Sequence, residues 1–113
     1  MSKNKGFSIT SAERYSLALY ELASESNVLS QVEDQSSSIL NLISSIKDFS
    51  DLIKDPTNSQ EDLLKVIDSI SNDNKFESLL KNFLSFLITK RRFFYVEQIL
   101  KSFIETCSQK RGE

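Results

Sequence analysis

Six consecutive residues, Lys90-Arg91-Arg92-Phe93-Phe94-Tyr95, form the densest run of chemically capable side chains in this sequence. Cations beside aromatics can serve single-stranded nucleic acid, the cations tracking phosphates and the rings stacking on bases. The same run also reads as a helix C-terminus whose cations complement the macrodipole, followed by aromatics that pack into a core. A formal net charge of −2 gives no global attraction to a polyanion and favours the second reading. Elsewhere the chemistry is sparse. The absence of histidine removes the usual general base, the usual transition-metal ligand and most nucleophilic triads. A single cysteine, Cys107, cannot build a Cys-rich zinc site. It falls on an apolar helical stripe, where it reads as a small buried hydrophobe and an inert thiol. Glycines occur only at Gly6 and Gly112, which excludes a Gly-rich phosphate loop. The neighbours Glu33 and Asp34 point about 100° apart on a helix and do not share a proton. Glu61 and Asp62 suit the first turn of a helix. The sequence assigns no catalytic residue, metal ligand or cofactor site, and it argues against an enzyme.

A chain of 113 residues supports one domain with one core. Two glycines and one proline leave few breakers, which predicts long helices and argues against a sandwich or barrel. No apolar run is long enough to span a bilayer. The opening segment MSKNKGFSIT lacks both the apolar core of a signal peptide and the arginines of a transit peptide. A lone cysteine leaves no internal disulfide, which is compatible with a reducing cytoplasm.

The capping-box pattern Thr10-Ser11-Ala12-Glu13 predicts a first helix from Ser11 to about Ser26. A second runs from Val28 to Ile46, with Leu29, Val32, Ile39, Ile43 and Ile46 on one stripe and a solvated polar side, EDQSSS. A short piece from Asp48 to Lys54 turns Phe49, Leu52 and Ile53 inward, and Pro56 stops it. Ser59 caps a fourth helix, about Gln60 to Ser71, with Leu63, Leu64, Ile67 and Ile70 inward. Asn74 and Glu77 are spaced as a capping pair for a fifth, which breaks between Thr89 and Phe93. The sixth carries Val96, Ile99, Leu100, Phe103, Ile104 and Cys107 inward. The predicted fold is all-α, a compact bundle of five or six helices, with residues 1–10 a flexible leading segment and 11–108 the helical domain.

Two of these helices have more apolar surface than one core requires. In the first, Tyr15, Leu19 and Leu22 form a stripe flanked by Ala18 and Ala23, while Leu17 and Tyr20 point roughly the other way. In the fifth, Phe76, Leu80, Phe83 and Leu87 form the core stripe, widened by Leu84 and Ile88, with Leu79 and Phe86 on its other flank. Either the core wraps both sides of these helices, or the two lie side by side and their surplus forms a groove for an amphipathic helix from outside. The pattern alone leaves both open.

The stretch ERYSLALYELASESN resembles the N-terminal signature of the delta subunit of bacterial F-type ATP synthase, a relative of the mitochondrial oligomycin-sensitivity-conferring protein. Arg14, Tyr15, Ala18, Leu19, Tyr20, Leu22 and Ala23 fit that family's first-helix pattern. IKDPTNSQEDLLKVIDSI is similar to its short helix, proline turn and capped helix, with Pro56 and Ser59 in place. LLKNFLSFLITKRRFFYVEQILKSF is similar to its fifth helix, basic turn and sixth helix. Lys90-Arg91 stands where Asn-Gly or Asn-Lys usually precedes the turn arginine, here Arg92. SQKRGE resembles the hinge into a separate C-terminal domain, so residues 109–113 are expected to begin that hinge.

The resemblance implies a non-catalytic stator role at the cytoplasmic face of the bacterial inner membrane. The family's N-terminal domain binds the N-terminal helix of an alpha subunit between helices one and five. It thereby links the catalytic head to the peripheral stalk during proton-driven ATP synthesis. The C-terminal domain meets the stalk's b subunits. The resemblance places Tyr15, Ala18 and Phe86 in the partner groove, with Leu19, Leu22, Leu79, Asn82 and Phe83 as neighbours, and leaves open which of these face the core. It also brings Val32 near this surface, where without an aromatic ring it is expected to contribute little. It implies no cofactor, no nucleic acid and no direct membrane insertion; the competing reading is a small helical RNA-binding module built on Lys90–Arg92.

Overall fold

The computed structural model describes residues 9–112. The helices are α1 (Ile9–Glu25), α2 (Leu29–Ser45), α3 (Lys47–Lys54), α4 (Gln60–Asp73), α5 (Ser78–Thr89) and α6 (Val96–Gly112), with a 3-10 turn at Phe93–Tyr95 before α6. No strand occurs among the described residues, so the all-α bundle holds.

Packing is organised around α6. Its buried residues Val96, Ile99, Leu100, Phe103 and Cys107 recur every three or four positions, the spacing of one helical face. That face meets α1 and α2, while α4 and α5 pack on each other. α1 turns Ala12, Ser16, Leu19 and Ala23 inward. Three of the four are small, which lets the α1 backbone approach α6 closely. Ser16 is buried but satisfied: its Oγ donates to the Glu13 carbonyl at 2.9 Å and lies 3.0 Å from Ser102 Oγ on α6. The buried face of α1 therefore shares only Leu19 with the Tyr15–Leu19–Leu22 stripe that the large residues suggested.

Several helix ends differ from the sequence reading. α1 begins at Ile9, two residues before the expected start at Ser11; residues 1–8 of the expected leading segment lie outside the described residues. Asn74 does not begin α5. It closes α4, its side-chain Nδ2 donating to the Ile70 carbonyl at 2.9 Å, and Glu77 donates its backbone N–H to Gln35 Oε1 at 2.8 Å. Ser59 caps α4 as expected, accepting from the Asp62 N–H at 3.1 Å. Residues 109–112, expected to start a hinge, form the last turn of α6. There Arg111 pairs with Glu33 of α2 at 2.6 Å.

α1, α4 and α5 all end in the same way. Val28 donates to the Ala23 carbonyl, Phe76 to Ser71 and Arg92 to Leu87, each closing a six-residue loop back onto the helix. Asn27, Lys75 and Arg91 then take positive φ values of 60°, 55° and 59°. This is the Schellman end, in which glycine is the usual left-handed residue. The region between Gly6 and Gly112 contains no glycine, so three bulkier side chains occupy those positions.

Three apolar positions fall outside the expected core. Ile46 is a one-residue extended break between α2 and α3 and is exposed; Leu64 and Phe94 are exposed as well. The EDQSSS side of α2 is solvated only in part. Asp34, Ser37 and Ser38 are exposed, whereas Ser36 is fully buried and Gln35 and Glu33 bind other elements.

Candidate functional site

The surface of interest lies where α1 runs beside α5. A cleft of about 610 Å³ opens there, lined by Ser11, Arg14, Tyr15 and Ala18 of α1, Phe86 of α5, and Arg92 and Tyr95 of the following turn. Tyr15 and Phe86 meet across it with ring centroids 6.4 Å apart and planes at 58°. Lys90 Nζ sits 5.8 Å from the Phe86 ring centre, a cation–π contact at the rim.

The eight residues assigned to the groove divide into two sets. On α1, Tyr15 is half-buried, Ala18 is exposed and Leu22 is 49% exposed. They stand at i, i+3 and i+7 and form one outward stripe. On α5, Leu79 is half-buried, Asn82 is exposed and Phe86 is 45% exposed, at the same spacing. Leu19 and Phe83, left open between groove and core, fall in the core: they are 0% and 6% exposed, and Phe83 thereby keeps the core stripe its spacing marks. Each stands one position past an outward residue, Ala18 or Asn82, and about 100° of helix rotation carries it inside. Val32, expected to contribute little to this surface, is fully buried.

The sequence groups Arg92 with a basic cluster, and only the structure brings it beside Arg14 at one cleft. The Schellman turn does this: left-handed Arg91 reverses the chain at the end of α5 and delivers Arg92 and Tyr95 into the cleft wall. No spacing rule links positions 14 and 92. Phe93 packs into the core as expected, but Phe94 remains 46% exposed, edge-on to Tyr95 at 5.5 Å. A smaller cavity of about 300 Å³ lies on the other side of this turn, against Pro56, Asn58 and Gln60. Asp55 in its wall is engaged by Thr57, whose N–H and hydroxyl donate to Oδ1 at 2.9 and 2.6 Å and hold the carboxyl below its usual range.

Cys107 is 1% exposed. Burial, with Glu33 nearby, pushes its thiol up to about 11 despite the opposing charge of Arg111. Among the described residues, no group of three or more His, Cys, Asp or Glu is placed to hold a metal ion. No helix of the described residues is long and apolar enough to cross a membrane.

Known proteins share the whole of this sequence pattern. The chain is 66% identical over all 113 residues to ATP synthase subunit delta of Pelagibacter ubique. It is 31% identical over 113 residues to the subunit delta of Rhodospirillum rubrum. It is 34% identical over 102 residues, 90% of this chain and 55% of the relative, to that of Brucella suis. The chain spans 61% of the length of the first two relatives. The family model described as "ATP synthase delta (OSCP) subunit" matches residues 12–113, nearly the full length, and the chain therefore belongs to the ATP synthase delta (OSCP) subunit family.

Proposed function

We propose that this domain is a non-catalytic stator component of an F-type ATP synthase. It holds the N-terminal helix of an alpha subunit in the groove between α1 and α5. In this reading it ties the catalytic head to the peripheral stalk while proton flow drives ATP synthesis. The b subunits of the stalk bind a C-terminal domain beyond the residues present here. The assembly keeps the chain at the cytoplasmic face of the bacterial inner membrane, as a peripheral component.

The observation that carries this reading is the pair of outward stripes, Tyr15–Ala18–Leu22 and Leu79–Asn82–Phe86, on two adjacent helices. Neither stripe is consumed by the core, and together they offer an aromatic pair beside a small residue. An incoming helix can bury its apolar face on Tyr15 and Phe86 and approach closely over Ala18.

The test is calorimetric titration with a peptide copied from an alpha subunit's N-terminus. Aromatic anchors in desolvated patches cost about 2 kcal/mol or more when truncated. Tyr15→Ala should therefore weaken binding by roughly 30-fold or more. Ala18→Asp should do at least comparable damage, because a larger charged side chain there blocks the close approach of the incoming helix over Ala18. Ser37→Asp, on the exposed side of α2, should bind like the parent. Variants at Tyr15 and Ala18 that stay folded and bind unchanged would refute the groove. RNA binding through Lys90–Arg92 predicts instead a steep loss of oligonucleotide affinity with added salt.

A further inference from the structure

The groove is not electrically uniform along its length. Arg14 and Arg92 line one end and Lys90 caps Phe86 at the same end. Among the described residues, none of these three cations lies within ion-pair distance of a carboxylate; the ion pairs all involve other side chains. From Arg14 the exposed edge of α1 continues through Ala18 to Glu21 and Glu25, at i+4, i+7 and i+11. Those positions share one helix face. The edge therefore runs from positive to negative over about 16 Å, at 1.5 Å per residue. Glu21 and Glu25 also have no ion-pair partner among the described residues.

Resting on the groove reading above, we propose that the α1–α5 groove selects an amphipathic helix by charge order as well as by its apolar face. The bound helix sets a side-chain carboxylate between Arg14 and Arg92, and turns a lysine or arginine toward Glu21 and Glu25. Two arginines converging on one cleft suit a carboxylate, since each guanidinium offers paired donors in a plane. Closure of the helix over the cleft excludes water and strengthens that pairing. An apolar stripe alone would accept the helix in either direction. The opposed charges at the two ends permit one, because the reverse placement sets like charges together.

Calorimetric titration of the alpha N-terminal peptide tests this, at low and at raised salt. The parent peptide should bind more weakly as salt rises. Replacing its acidic residues by their amides should cost about tenfold, near what one charge-assisted hydrogen bond contributes. Arg92→Gln should cost about as much, and combining it with the amide peptide should add little further loss. Arg14→Glu/Arg92→Glu should reject the parent peptide and recover affinity for a peptide whose acids are replaced by lysine. All of these side chains are exposed, so melting temperatures should stay near the parent's. Tight, salt-insensitive binding that ignores every arginine substitution overturns the charge selection and leaves the groove reading intact. Failure of the parent peptide to bind the parent protein overturns both.

Discussion

Arg91→Gly should stabilise this domain. Arg91 holds φ at 59°, where the Cβ of an L-residue crowds its own carbonyl. That conformation costs a non-glycine residue about 1–2 kcal/mol. Glycine removes the cost but gives up about 0.5–1 kcal/mol to the greater freedom of the unfolded chain. The net gain is about 0.5–1 kcal/mol, a rise in Tm of about 2–6 °C for a domain of this size. The deleted side chain is exposed and makes no ion pair among the described residues, so no contact of comparable size is lost. The backbone hydrogen bonds of Arg91 and Arg92 to Ile88 and Leu87 remain. Arg91→Ala keeps the Cβ and should gain nothing. Asn27→Gly at the end of α1 should gain less than Arg91→Gly, because asparagine tolerates the left-handed region. Paired thermal and urea melts of the three variants are the assay. A destabilised Arg91→Gly, or an Arg91→Ala that matches it, would show that strain at this turn is not what the substitution relieves.

Leu19→Ala and Leu22→Ala should separate core from groove. Leu19 is fully buried and its truncation should cost about 2–5 kcal/mol of stability, whereas Leu22→Ala should stay within about 0.5 kcal/mol of the parent while weakening the alpha peptide. Phe103→Ala, at the centre of α6, should cost about 3–5 kcal/mol and bring the domain close to unfolding at room temperature. Cys107 should resist thiol reagents in the native state, and its rate of labelling should follow unfolding; labelling at the rate of a free thiol would contradict its burial. Its raised folded value also gives a pH sign. The protein keeps the thiol neutral, so this group leaves stability unchanged well below the unfolded value of 9.0, and lowers it as pH rises from there toward about 11. Cys107→Ala should flatten that part of the alkaline stability profile, read from melts between pH 8 and 11.

Local pattern decided which segments are helical. Period-3.6 hydrophobicity, Pro56 and the Ser59 cap specify α2, α3 and α4 to within a residue or two, because those signals act within one or two turns, whereas α6 runs one turn past its expected end. Family membership was legible for the same reason: the quoted motifs are local and in order along the chain. Tertiary structure decided which face of each helix is buried. On α1 the large residues Tyr15 and Leu22 marked one stripe, yet the closest approach to α6 uses Ala12, Ser16 and Ala23, small residues that carry a weak hydrophobic signal. Leu19 went to the core with them, a helix rotation that composition does not encode, whereas Phe83 kept the core stripe it shares with Leu80 and Leu87. The left-handed conformations at Asn27, Lys75 and Arg91 were equally hidden, although the ends of α1, α4 and α5 fall near the expected places, since Schellman turns announced by glycine are here built without it. The meeting of Arg14 with Arg92 depends on the chain folding α5 back beside α1 and reversing at Arg91. Residues 78 positions apart in sequence share no local signal, and only the packed bundle sets them at one cleft.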